Sequence, residues 1–106
     1  MDDDNQIHVP PSFLAVYSDA RGRLTERADV VRARYELCED LAGHLVEQAQ
    51  TLYYSGNSSE EGVLLGFHAG LAAEGSVVSR AEAGWVVQRL AELLEWRAPQ
   101  LPAPAA

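Results

Sequence analysis

The sequence predicts an all-α fold: a small four-helix bundle with one long helix and a short N-terminal helix. Apolar residues recur every three or four positions through 31–52, 64–71 and 83–94, the spacing that gathers them on one side of a helix. Ser-x-x-Glu pairs at Ser58/Glu61 and Ser79/Glu82 stand ahead of the last two stripes, where serine and glutamate can satisfy the first free amides of a helix. Glycine-containing breaks at 55–57 and at Gly75 part the stripes. Connections this short make consecutive helices antiparallel neighbours, each burying its stripe against the others.

Residues 1–9 read as a flexible, polar start. Pro10 and Pro11 suit a first helical turn, and Phe13, Val16 and Tyr17 share one face of a helix over about 11–18. The run is short enough that a strand is an open alternative. Asp19–Arg23, with Gly22, reads as a turn. Thr25 is the expected N-cap of the long helix, with Glu26 and Asp29 facing the positive end of its dipole. Its stripe is Val31, Tyr35, Cys38, Ala42, Leu45, Ala49 and Leu52, ending at Ser55-Gly56-Asn57, and Gly43 is a place for it to bend. A third helix, from Ser58 to about Ala73, presents Leu64, Phe67, His68 and Leu71. The fourth runs from Ser79 to about Trp96 and presents Ala83, Val86, Val87, Leu90, Leu93 and Leu94. From Pro99 the chain is proline- and alanine-rich. The expected organisation is a flexible 1–9, one helical domain over 10–97 and a disordered tail over 98–106.

Composition removes several chemistries. All eight basic residues are arginine, so no lysine is present to reach a nucleotide phosphate or to form a Schiff base. A net charge of −8 opposes binding to nucleic acid or to an anionic membrane. Nearly all of that charge lies in residues 35–79, which hold seven acids and neither lysine nor arginine. No apolar run approaches a membrane span. The single cysteine, Cys38, has no internal disulfide partner, and Asp2–Asp4 are the opposite of a basic leader, so a cytoplasmic location is expected.

Few residues suggest a site. Cys38 lies on the long helix's core stripe among acidic neighbours that would raise its thiol pKa, so it reads as a volume filler. Asp40, His44 and Glu47 follow at i, i+4 and i+7, a weak divalent-metal pattern that equally describes a solvated surface. His68 reads as a core-edge histidine. Gly62, Gly66 and Gly70 make a smooth strip on the third helix, suited to a close helix contact, including one across a homodimer. On the fourth helix Trp85, Arg89, Glu92 and Trp96 project away from the Val86–Leu90–Leu94 face. Trp85 and Arg89 are one turn apart, which allows a cation–π contact, and both are residue types enriched at binding hot spots. Coverage of these rings within the monomer is the competing reading. Arg21, Arg23, Arg27, Arg32 and Arg34 form a basic cluster that could take an anion or an acidic protein.

Val9-Pro10-Pro11-Ser12-Phe13, Arg34-Tyr35-Glu36-Leu37-Cys38-Glu39-Asp40-Leu41 and the run from Ala83 to Leu94 (AGWVVQRLAELL) together resemble a group of short, uncharacterised bacterial proteins. Members of that group sometimes carry the label "ATPase with chaperone activity". The resemblance spans Val9 to Trp96 and implies association with a chaperone-type ATPase. It carries no catalytic residues across, and a lysine-free chain without a glycine-rich phosphate loop lacks the usual ATPase machinery.

The expected function is therefore a non-catalytic protein–protein interaction or adaptor module, with no cofactor or metal. Its partner would be a protein, another copy of the chain included. An acidic decoy for a nucleic-acid-binding protein is one alternative. A small metal-dependent enzyme using Asp40, His44 and Glu47 is the other.

Overall fold

The computed structural model describes residues 8–56 and 58–101. Among them the protein is all-α: four helices and no strand. These are α1 (Pro11–Val16), α2 (Ala28–Tyr54), α3 (Glu60–Leu71) and α4 (Arg80–Leu94). No helix among the described residues is long and apolar enough to cross a membrane. Of the expected flexible start, residues 1–7 lie outside the described residues, as do 102–106 of the expected tail. The chain forms two compact units that divide between Leu37 and Cys38, within α2.

In the N-terminal unit, Pro10 caps α1 and Pro11 opens it, where a missing N–H costs nothing. Phe13 is fully buried, with its ring 5.8 Å from Tyr17 and 5.6 Å from Tyr35. The turn after α1 is built on Asp19, whose Oδ1 accepts the amides of Arg21 and Arg23 at 2.9 Å each. Gly22 supplies the positive φ of 81° that the turn needs. Thr25 does not cap α2. Its amide and hydroxyl both donate to the Tyr17 carbonyl, at 2.7 and 3.1 Å, closing the loop that the Ser18–Leu24 bridge also holds. With its polar groups spent there, α2 begins three residues later, at Ala28.

In the second unit, α2 contributes Cys38, Ala42, Leu45 and Ala49 to the buried set, the expected stripe. The stripe fails at Leu52, which is 48% exposed, and Tyr53 turns inward instead. Gly56 takes the left-handed conformation after the helix, as expected. The cap of α3 is Ser59, not Ser58: Ser59 Oγ accepts the Gly62 amide at 3.0 Å. Glycine at that third position offers no returning side chain, so the expected Ser58/Glu61 box is replaced by a one-sided cap. Helix α3 buries Val63 and Leu64, leaves Phe67, His68 and Leu71 half-buried, and packs against α4.

The second box forms as expected. Glu82 N–H donates to Ser79 Oγ at 3.1 Å, and Ser79 N–H donates to Glu82 Oε1 at 2.9 Å. Helix α4 ends when Glu95 turns left-handed, at φ 60° and ψ 36°. The Trp96 amide then donates to the Ala91 carbonyl at 2.8 Å and the Glu95 amide to Glu92 at 3.1 Å. That paired pattern is a Schellman stop, with glutamate where glycine is usual. Beyond it the described residues run to Leu101. Leu101 is half-buried, and its Cδ1 lies 3.8 Å from where a Cβ on Gly84 would stand.

Candidate interaction surface

Trp85, Arg89 and Glu92 of α4 and Trp96 just beyond it are expected from the sequence to face outward together, and the structure separates them. Trp85 is buried, at 8% exposed. Helix α4 buries Glu82, Ala83, Trp85, Val86, Val87, Leu90 and Ala91, an arc wider than its apolar stripe. The arc is rotated towards Glu82 and Trp85 and away from Leu93, which is 38% exposed although it was expected in the core. A helix enclosed on more than one side buries residues that its periodicity alone assigns to solvent. Trp96 is half-buried, its ring 5.2 Å from Tyr53 of α2 and tilted by 57°. Glu92 alone of the four is plainly exposed.

Arg89 serves as a helix-to-helix link. Its Nε donates to Glu39 Oε1 at 2.8 Å and its Nη2 to Glu39 Oε2 at 2.9 Å, a two-pronged pairing across to α2. Nη1 donates to Glu92 Oε1 at 3.0 Å. The hydrogen bonds that the guanidinium donates to Glu39 outweigh the desolvation cost of its burial and, with the weaker bond to Glu92 and the attraction of both carboxylates, hold its pKa well above the ordinary range. Glu39 stands 50 residues away in the chain, so no local pattern marked it as a partner. Tyr53, the ring beneath Trp96, was missed for the same reason.

The glycine strip is exposed, and open to added side chains at Gly66 and Gly70. Gly62, Gly66 and Gly70 are exposed, and a Cβ placed on Gly66 or Gly70 would meet no atom within 4 Å. Leu65, Ala69 and Ala73 are exposed on the same side. From Gly62 to Gly70 this face of α3 carries no charged residue, Ala73 follows just past the helix end, and Leu65 is an addition the sequence pattern did not single out.

The remaining candidates are dispersed. Cys38 is fully buried, as expected of a volume filler. Asp40, His44 and Glu47 are exposed along α2, and no group of three His, Cys, Asp or Glu able to hold a metal exists among the described residues. His68 is half-buried, and His8 is exposed. Of the N-terminal arginines, Arg21, Arg23 and Arg27 are exposed, and Arg27 pairs with its near neighbour Asp29 at 2.9 Å.

An open groove in the second unit is lined by Tyr53, by Ser59–Glu61 at the start of α3, and by 97–100. It mixes one arginine with two glutamates and the hydroxyls of Tyr53 and Ser59. No family model, no curated protein and no solved structure matches this chain.

Proposed function

We propose that this protein is a non-catalytic interaction or adaptor module: a small four-helix bundle that docks a protein, or a second copy of itself, on the outer face of α3. The observation that carries the reading is the uncharged, open strip of Gly62, Leu65, Gly66, Ala69, Gly70 and Ala73. An outward helix side ordinarily carries charged residues, more so in a chain of net charge −8. Small side chains let another helix backbone approach closely, the steric logic of glycine-spaced helix pairs. Trp85 no longer supports the reading, because a buried ring offers a partner nothing. The acids on either side of the strip's sequence, Glu61 and Glu74, favour a basic rim on the partner. The resemblance makes a chaperone-type ATPase the first partner to try, and the cytoplasm the place to look.

Gly66→Arg and Gly70→Arg test this, since both side chains enter open space and arginine is the better helix former. The folded variants should lose self-association in sedimentation velocity, or lose the proteins that the wild type captures from extract. A wild type that stays monomeric, and captures the same proteins as a folded Gly66→Arg variant, refutes the reading.

A second reading rests on the exposed acids Glu36, Asp40, Glu47, Glu61 and Glu74, in a stretch without a cationic side chain other than histidine. It makes the protein an acidic decoy for a nucleic-acid-binding protein. Such binding weakens steeply with salt, and salt-independent affinity excludes it.

A further inference from the structure

Six residues after α4 are held in place in an unusual way. Glu95 is the sole non-glycine residue with positive φ among the described residues, and it reverses the chain. Trp96 then docks on Tyr53, and Leu101 reaches back to Gly84, near the start of α4. Between these two anchors Arg97, Ala98 and Gln100 are exposed. Residues 97–101 make no hydrogen bond among the described residues. Side-chain packing at these two points and the Schellman hydrogen bonds of the Glu95 and Trp96 amides are what oppose the strain of a left-handed glutamate.

We propose that Trp96–Leu101 is a releasable strap, and that its release lets α4 continue helically through Arg97. Glu95, Trp96 and Arg97 all tolerate a helix, and Pro99 stops it by disfavouring the helical conformation at Ala98. Continuation relieves the left-handed residue. It also places Arg97 in the last turn, where α4 now has no basic residue to meet its dipole. At 3.6 residues per turn, Trp96 leaves Tyr53 and lines up one turn beyond Glu92 and two beyond Arg89. The two states therefore differ in whether Trp96 is docked or presented beside Glu92. The strap stands independently of which face of α3 a partner uses.

Trypsin needs the residues after its bond extended, so cutting after Arg97, at the fraying end of the continued helix, reads the open state through the freed residues 98–101, followed bond by bond by mass spectrometry on the full chain. Cutting after Arg23, in an exposed turn of the other unit, is the internal control. Leu101→Ser removes one anchor and should speed the Arg97 cut roughly tenfold, leaving the Arg23 cut unchanged. In the same variant the Cα chemical shifts of Glu95, Trp96 and Arg97 should move towards helical values. Glu95→Gly relieves the strain without opening the strap and should slow the Arg97 cut by roughly five- to tenfold. An unchanged Arg97 rate in Leu101→Ser overturns the docked strap. Faster cutting without the helical shift overturns the helix continuation. Glu95→Gly cutting as fast as wild type overturns the left-handed residue as the hinge.

Discussion

A single methyl group on Gly66 probes both the local mechanics of α3 and the use of its outer face. Glycine in a helix interior costs about 1 kcal/mol relative to alanine, because the unfolded chain has more freedom to lose. Whether alanine recovers that amount depends on what its Cβ meets. At Gly66 and Gly70 it meets no atom within 4 Å, so the gain should be nearly the full ~1 kcal/mol at Gly66, and somewhat less at Gly70, close to the helix end. Gly62 is different: its Cβ would stand 3.3 Å from Ser59 Oγ, the atom that caps the helix. There the gain and the disturbed cap should roughly cancel. Urea denaturation at low protein concentration measures all three, and for a chain of this size ~1 kcal/mol corresponds to a Tm rise of about 4–8 °C. If Gly66→Ala destabilises the dilute protein, the face is not open and the steric reasoning fails. A gain in dilute solution that turns into a loss at high concentration would place a second copy on the strip.

Trp85→Ala should cost about 3–5 kcal/mol, as for a buried aromatic, and Trp96→Ala much less; comparable small losses in urea melts would contradict the burial of Trp85. A double-mutant cycle over Arg89→Met and Glu39→Gln should give a coupling of about 1 kcal/mol, since the pair is two-pronged but about one-third exposed, whereas Arg89 and Glu92 should couple by only ~0.3 kcal/mol. Because the folded guanidinium pKa is raised, that coupling is complete wherever Glu39 is ionised and the pH lies below the ordinary arginine range, and on the alkaline side it is lost only as pH climbs through the folded value; a change between roughly pH 6 and 10 would refute the assignment. Ser79→Ala should cost about 1 kcal/mol, and Glu82→Ala more, perceptibly so in thermal melts, because it removes a buried side chain as well as the acceptor for the Ser79 amide; the opposite order would show that the reciprocal cap is not what holds the start of α4.

What the sequence determined by itself were features whose causes act within one helical turn. Ser79 and Glu82 meet because three residues of helix bring them together, Gly56 accepts a left-handed conformation because it has no Cβ, and Asp19 folds its own turn around Gly22. Local reading erred where two neighbouring groups compete for one role, as with Ser58 against Ser59, or where a distant carbonyl draws off a cap, as Tyr17 does with Thr25. Tertiary structure alone decided the rest. It put Trp85 inside and Leu93 outside, joined Arg89 to Glu39 across 50 residues, and set Trp96 on Tyr53. Periodicity gives the direction of a helix's apolar side, but the width of the arc that loses its water depends on every element packed around it, and that sum runs over residues far apart in the chain.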